Sequence, residues 1–147
     1  MFKHLLVPTD GSALAQAAVA RAIAFAREAN AKVTFVCAEH HSPTMYLGLG
    51  AITDGQTIRE FKAAEDSTAR KILQQCERLA KEGDVVCDTL AIVSSEPYEA
   101  IIEAATRVQA DVIFMASHGY RGVKALLLGS ETQKVLTHST IPVMVYR

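Results

Sequence analysis

An excess of either charge is missing from this sequence: 15 Lys and Arg face 16 Asp and Glu, a formal net charge of -1 at pH 7. Without a basic surplus there is no electrostatic footprint for a phosphate backbone or an anionic bilayer, so no nucleic-acid or membrane partner is expected. Cysteine is scarce too. Cys37, Cys76 and Cys87 are odd in number, widely spaced and set in apolar stretches, which suggests buried thiols rather than a disulfide framework or a metal site. None of His4, His40, His41, His118 and His138 shows a His-Glu-x-x-His spacing, so no metalloenzyme signature is present and no metal is assigned. Long apolar runs are also absent: Leu5-Leu6-Val7 stops at Pro8, far short of a signal peptide or a membrane span, and the expected location is the cytoplasm. With no internal repeat, low-complexity segment or linker, a chain of 147 residues fits one domain, 1–147.

What is present is alternation. Residues 3–7, 32–38, 85–92, 111–116 and 142–146 are short apolar runs rich in Val, Ile and Phe and bounded by turn residues, which reads as five strands. Helical periodicity fills the intervals. Ser12 is the natural N-cap of a first helix with Ala15, Val19, Ala22 and Ala26 on one face. A second begins near Thr57, where Thr57 and Glu60 form a capping box, continues through Ile58, Phe61, Ile72, Cys76 and Leu79, and ends at Gly83. A third starts at Pro97 with Ile101, Ile102 and Ala105 as its buried side, and a short fourth follows Ser130. Strand-helix alternation implies right-handed crossovers, hence an α/β fold whose open, mostly parallel sheet carries helices on both faces. The stretch Glu39–Gln56, with Gly48, Gly50 and Gly55, is longer than most connections and reads as either a flap or a disordered surface loop.

In an open α/β sheet, ligands bind beyond the carboxyl ends of the strands where strand order reverses. Two segments would meet there. Pro8-Thr9-Asp10-Gly11-Ser12 puts a carboxylate and hydroxyls beside a helix amino terminus, and Ser117-His118-Gly119-Tyr120-Arg121-Gly122 leads to Gly129-Ser130 at another. Glycines admit close backbone approach and helix amino termini favour negative charge, so the pair suits a phosphate chain. Individually each piece is as well explained as a helix cap or an ordinary turn.

The segments Lys3-His4-Leu5-Leu6-Val7-Pro8-Thr9-Asp10-Gly11-Ser12, Met115-Ala116-Ser117-His118-Gly119, Leu127-Leu128-Gly129-Ser130 and Ile141-Pro142-Val143-Met144-Val145 together resemble the universal stress protein family, over the whole chain. The resemblance implies a Rossmann-like sheet in the order 3-2-1-4-5 and an adenine-nucleotide site. It places Pro8, Thr9 and Asp10 on the ribose and phosphate side, the backbone at Ala38 beside adenine, and Gly119, Gly129 and Ser130 at the phosphates, with Arg121 and Lys124 as possible extra charge. Against the family's ATP signature (glycine, two residues, glycine, nine residues, then glycine with serine or threonine) the chain matches at Gly119 and Gly129-Ser130 but has Ala116 at the first position. Glu131 adjoins the site, where a carboxylate complements a helix dipole but, turned inward, would repel a phosphate.

The expected function is therefore a stress-response switch that binds ATP, with or without Mg, and acts through the flap, the dimer surface or an unidentified protein partner. The alternative is a dimeric interaction protein of the same fold that binds no nucleotide. No pairing of nucleophile and base is evident around Asp10 and His118, so enzymatic activity is expected to be slow ATP hydrolysis at most. An apolar run at the last strand, Val143-Met144-Val145-Tyr146, would be an exposed edge unless a second copy covered it, so a homodimer through that strand is expected.

Overall fold

The computed structural model describes residues 1–39, 55–119 and 128–147. Five strands and four helices alternate: β1 (His4–Pro8), α1 (Ala13–Ala29), β2 (Lys32–Glu39), α2 (Gly55–Glu82), β3 (Cys87–Val93), α3 (Pro97–Arg107), β4 (Val112–Ala116), α4 (Ser130–His138) and β5 (Val143–Tyr146). The strands form one sheet in the order β3-β2-β1-β4-β5. All four pairings are parallel, for example Val7 with Phe35 and Leu6 with Ile113.

The two-residue period of the strands sorts the core into two layers. Leu5, Val7, Val33, Phe35 and Phe114 face one way, against Ala18 and Ala22 of α1 and Leu73 and Cys76 of α2. Leu6, Val36, Ile113 and Met115 face the other, against Ile101 and Ala104 of α3 and Val135 of α4. Every residue of β4 is buried, as a strand covered on both sides requires. Alanines along α1 let it lie close to the sheet, and truncating a fully buried strand residue such as Leu5 to Ala would cost about 2–5 kcal/mol.

Strand ends differ from expectation by a residue or two, for identifiable reasons. β3 starts at Cys87, not residue 85: the Val85 amide donates to Ala80 O at 2.9 Å to close α2, and Val86 is 74% exposed. Asp111 precedes β4 as a side-chain acceptor, taking the Lys3 and His4 amides at 2.8 and 3.2 Å. α2 begins at Gly55, ahead of Thr57, and the expected Thr57 cap lies outside the described side chains. It does end before Gly83, but the left-handed residue that reverses the chain is Asp84, at φ 57°. On α3 the buried face is Ala100, Ile101, Ala104 and Ala105, with Ile102 only half-buried, because its Pro97 start sets a register that turns Ile102 outward. The segment read as a flap falls almost wholly outside the described residues.

Candidate functional site

Strand order reverses between β1 and β4. From β1 the chain crosses to β2 through α1 on one face, and from β4 to β5 through α4 on the other, so the loops leaving these neighbours diverge and open a crevice between them.

The β1–α1 turn is built from its own residues. Thr9 is buried, its amide held by Val36 O at 2.9 Å, and its hydroxyl accepts from the Gly11 amide at 3.2 Å. Asp10 Oδ1 accepts from the Ser12 amide at 2.9 Å, and Ser12 Oγ caps α1 by accepting from the Ala15 amide at 3.3 Å. Gly11 stands at φ 78°, the left-handed region that favours glycine, which lets the chain double back into α1. Gln16 Nε2 donates to its carbonyl at 2.8 Å, fixing the turn from the other side.

The β4–α4 connection is secured at its two ends. Ser117 N donates to Tyr146 O at 2.8 Å, and Gly129 N donates back to Ser117 O at 2.7 Å, closing the excursion between them. Thr132, 2% exposed, donates its hydroxyl to Ala116 O at 3.1 Å and so ties the first turn of α4 to the end of β4. A Cβ at Gly129 would stand 3.0 Å from His118 Cα, so this backbone approach has no room for a side chain that pushes further. Ser117 Oγ and His118 Nδ1 share a hydrogen bond at 3.2 Å.

These two walls touch. A Cβ built at Gly119 would collide with Asp10 Oδ2, so the Gly119 backbone lies directly against the Asp10 carboxylate across the crevice. Pro8, Thr9, Asp10 and Ala116 to Gly119 thus converge on one end of the sheet, with Gly129 and an exposed Ser130 opening α4 beside them. Ala38 is the next-to-last residue of the neighbouring β2, level with Ile92 of β3. Ala116 does not adopt a positive φ, and the residue, 7% exposed, belongs to the core cluster that holds Val7 and Phe114. Glu131 departs from the group: Oε2 accepts from the Tyr98 amide at 2.8 Å and Oε1 from Lys134 Nζ at 3.3 Å, which turns the carboxylate toward α3. Arg121 and Lys124 lie outside the described residues.

Sequence reasoning missed Thr132, Tyr98 and Lys134 as parts of this end of the molecule. The partners of Thr132 and Tyr98 are 16 and 33 residues away and Lys134 reaches Glu96 across 38 besides its neighbour Glu131, and no local motif announces the distant pairings. Among the described residues no group of three or more His, Cys, Asp and Glu could hold a metal ion. No helix among them is long and apolar enough to cross a membrane.

A five-stranded parallel sheet whose loops gather at the switch point defines a small Rossmann-like α/β domain. Residues 1–147 match the universal stress protein family, and the chain belongs to it. A universal stress protein of Thermus aquaticus is 35% identical over the full length of both chains. One from Methanocaldococcus jannaschii is 31% identical over all of this chain and 83% of its own. The solved structure of a second protein from that archaeon, universal stress protein MJ0577, superposes with a TM-score of 0.82 at 26% identity, covering 99% of this chain and 95% of that one. The same fold recurs in a universal stress protein in complex with cAMP (23% identity, TM-score 0.72, 99% and 97% coverage). It recurs in one from Archaeoglobus fulgidus in complex with dAMP (17%, 0.68, 100% and 98%). A third, from Arabidopsis thaliana with AMP bound, has 16% identity, a TM-score of 0.64 and coverage of 97% and 90%.

Proposed function

We propose that this protein is a stress-response regulator that binds ATP in the crevice between the Thr9–Ser12 turn and the Ser117–Ser130 connection. The observation that carries the reading is the contact of Asp10 with the backbone of Gly119, where a side chain at 119 would displace the Asp10 carboxylate. In this reading Pro8, Thr9 and Asp10 flank the ribose and first phosphates, the Ala38 backbone meets adenine, and Gly119, Gly129 and Ser130 receive the remaining phosphates at the start of α4. The adenine nucleotides named in relatives of the same fold support it. Mg would be held mainly by phosphate oxygens, with Asp10 as the carboxylate at hand. Asp10 already accepts from the Ser12 amide and His118 is engaged with Ser117, which favours binding over catalysis.

One observation favours a different reading, an interaction protein with an empty crevice: Ala116 stands where the signature has glycine. The burial of that residue in the core speaks for nucleotide binding instead. In either reading the partner surface is β5, an edge strand of four half-buried residues whose outer backbone groups a second copy would satisfy by antiparallel pairing. Three cysteines outside any disulfide suit the reducing cytoplasm, and burial pushes the Cys76 thiol up to about 12, which leaves it unreactive.

Native mass spectrometry of freshly purified protein reads both proposals at once, as subunit count and retained nucleotide. Calorimetric titration with ATP should show Gly129→Val binding at least about tenfold more weakly than wild type. Wild-type affinity in that variant would refute the phosphate role of the turn, and a monomer would refute the β5 interface.

A further inference from the structure

Glu131 follows Ser130 in the first turn of α4, the end of that helix that favours an anion. Free to rotate, its carboxylate would bring negative charge toward the crevice. It is instead spent on α3. That helix begins with Pro97, its N-cap Glu96 makes no side-chain cap bond, and Tyr98 N–H is one of the donors a helix start leaves without an internal partner. Glu131 Oε2 accepts it at 2.8 Å from 33 residues away, so one carboxylate joins the starts of two helices.

Around this bond lies a second layer of contacts. Lys134 Nζ sits 3.3 Å from Glu131 Oε1 and 3.0 Å from Glu96 Oε2, and 5.1 Å above the centre of the Tyr98 ring, which in turn lies 5.3 Å from the His138 ring. The Lys134, Glu96 and Glu131 side chains are 42%, 46% and 36% exposed, so solvent and salt screen these ion pairs. The bond to the Tyr98 amide differs in kind: its donor is fixed backbone rather than the end of a long side chain, and geometry is held there.

We propose that Glu131 is a positioning residue for the phosphate end of the crevice: by capping α3 it fixes the rotation of the first turn of α4 and keeps its own charge out of the site. The inference rests on the nucleotide-binding reading for its effect on affinity, but not for its effect on the turn. Two explanations of Glu131 predict opposite signs. If its charge acted directly on the phosphates, removing it would tighten binding; if it positions the turn, removing it loosens binding.

The test pairs Glu131→Ala, which deletes the acceptor, with Glu131→Gln, whose amide oxygen still accepts from Tyr98 N–H without the charge. ATP titration should show the alanine variant about fivefold weaker and the glutamine variant within about twofold of wild type. Amide hydrogen exchange of the nucleotide-free protein supplies the independent readout, at the Gln133 amide that bonds Gly129 O at 3.0 Å. Exchange there should accelerate in the alanine variant and be rescued in the glutamine variant. Should Glu131→Ala fail to fold, Tyr98→Pro removes the donor and Tyr98→Ala keeps it, and only the former should accelerate exchange. Equal tightening of ATP binding in both Glu131 variants overturns the proposal in favour of direct charge repulsion. Unchanged Gln133 exchange in Glu131→Ala overturns it outright. If the wild type binds no ATP, the nucleotide-binding reading fails, and the exchange result alone decides whether Glu131 positions the turn.

Discussion

The two walls of the crevice are made in contrasting ways. In the β1–α1 turn the closing bonds span two, three or five residues, from Thr9 to Gly11, Asp10 to Ser12, Ser12 to Ala15 and Gly11 to Gln16. Around α4 they reach from Ser117 to Gly129, Ala116 to Thr132 and Tyr98 to Glu131. Short-range bonds cost little chain entropy to close, so the first wall is set mostly by its own sequence, with the Thr9 amide to Val36 O as its long-range tie; the second exists only once α3, β4 and β5 are in place. A site with one local wall and one assembled wall should respond to damage asymmetrically.

The largest break should come where the walls meet. Gly119→Val would drive a side chain into Asp10 and force it off the Ser12 amide, and we expect ATP affinity to fall by at least about tenfold, read by calorimetry, with the fold kept. Wild-type affinity there would mean that the two walls are not both used.

Thr132→Val and Ser12→Ala sharpen the contrast, one in each wall. Losing the buried Thr132 hydroxyl leaves Ala116 O short of its partner and should cost about 1–3 kcal/mol in chemical denaturation. Removing the Ser12 cap should cost about 1 kcal/mol. Valine at 132 should also weaken ATP binding more than alanine at 12 does, and the reverse order would contradict the assembled character of the α4 wall.

Acid should act away from both walls, at the amino end of the sheet. Buried His4 shares a hydrogen bond with Thr34 Oγ1 at 2.8 Å. Burial, with help from Lys32, holds its pKa below the ordinary 6.5, while Asp111, the Val108 carbonyl and Asp88 oppose the shift. The unfolded chain then binds the extra proton first, so this contribution to stability is complete above about pH 6.5 and is lost as pH falls through the folded value. The denaturation midpoint should drop between pH 7.5 and 5.5, and His4→Gln should flatten that drop. An unchanged slope would assign the acid sensitivity to other groups.

The smallest effect belongs to Ala116→Gly, which restores the signature. The alanine belongs to the buried core cluster and its backbone has no positive φ, so ATP affinity should change by less than about threefold while stability falls by about 1 kcal/mol. A hundredfold gain in affinity would show instead that Ala116 had closed the crevice.

Legibility followed the range of the interactions. Strand-helix alternation is a local signal, and it led directly to a parallel sheet covered on both faces; the Ser12 cap and the Pro97 start were likewise written in a few adjacent residues. The order of the strands was not in the periodicity and came from likeness to a family, since crossover direction depends on which helix packs on which face. Ile102 illustrates the limit: its type fits a buried face, but the register set at Pro97 gives that place to Ala104. Glu131 shows the same limit at the site. By sequence alone it is a carboxylate next to a phosphate turn, with its direction undetermined. Only the tertiary structure, by bringing an uncapped α3 within 2.8 Å, decided that the charge faces away, because a side chain rotates toward the partner that relieves the greatest electrostatic cost and that partner lies 33 residues distant.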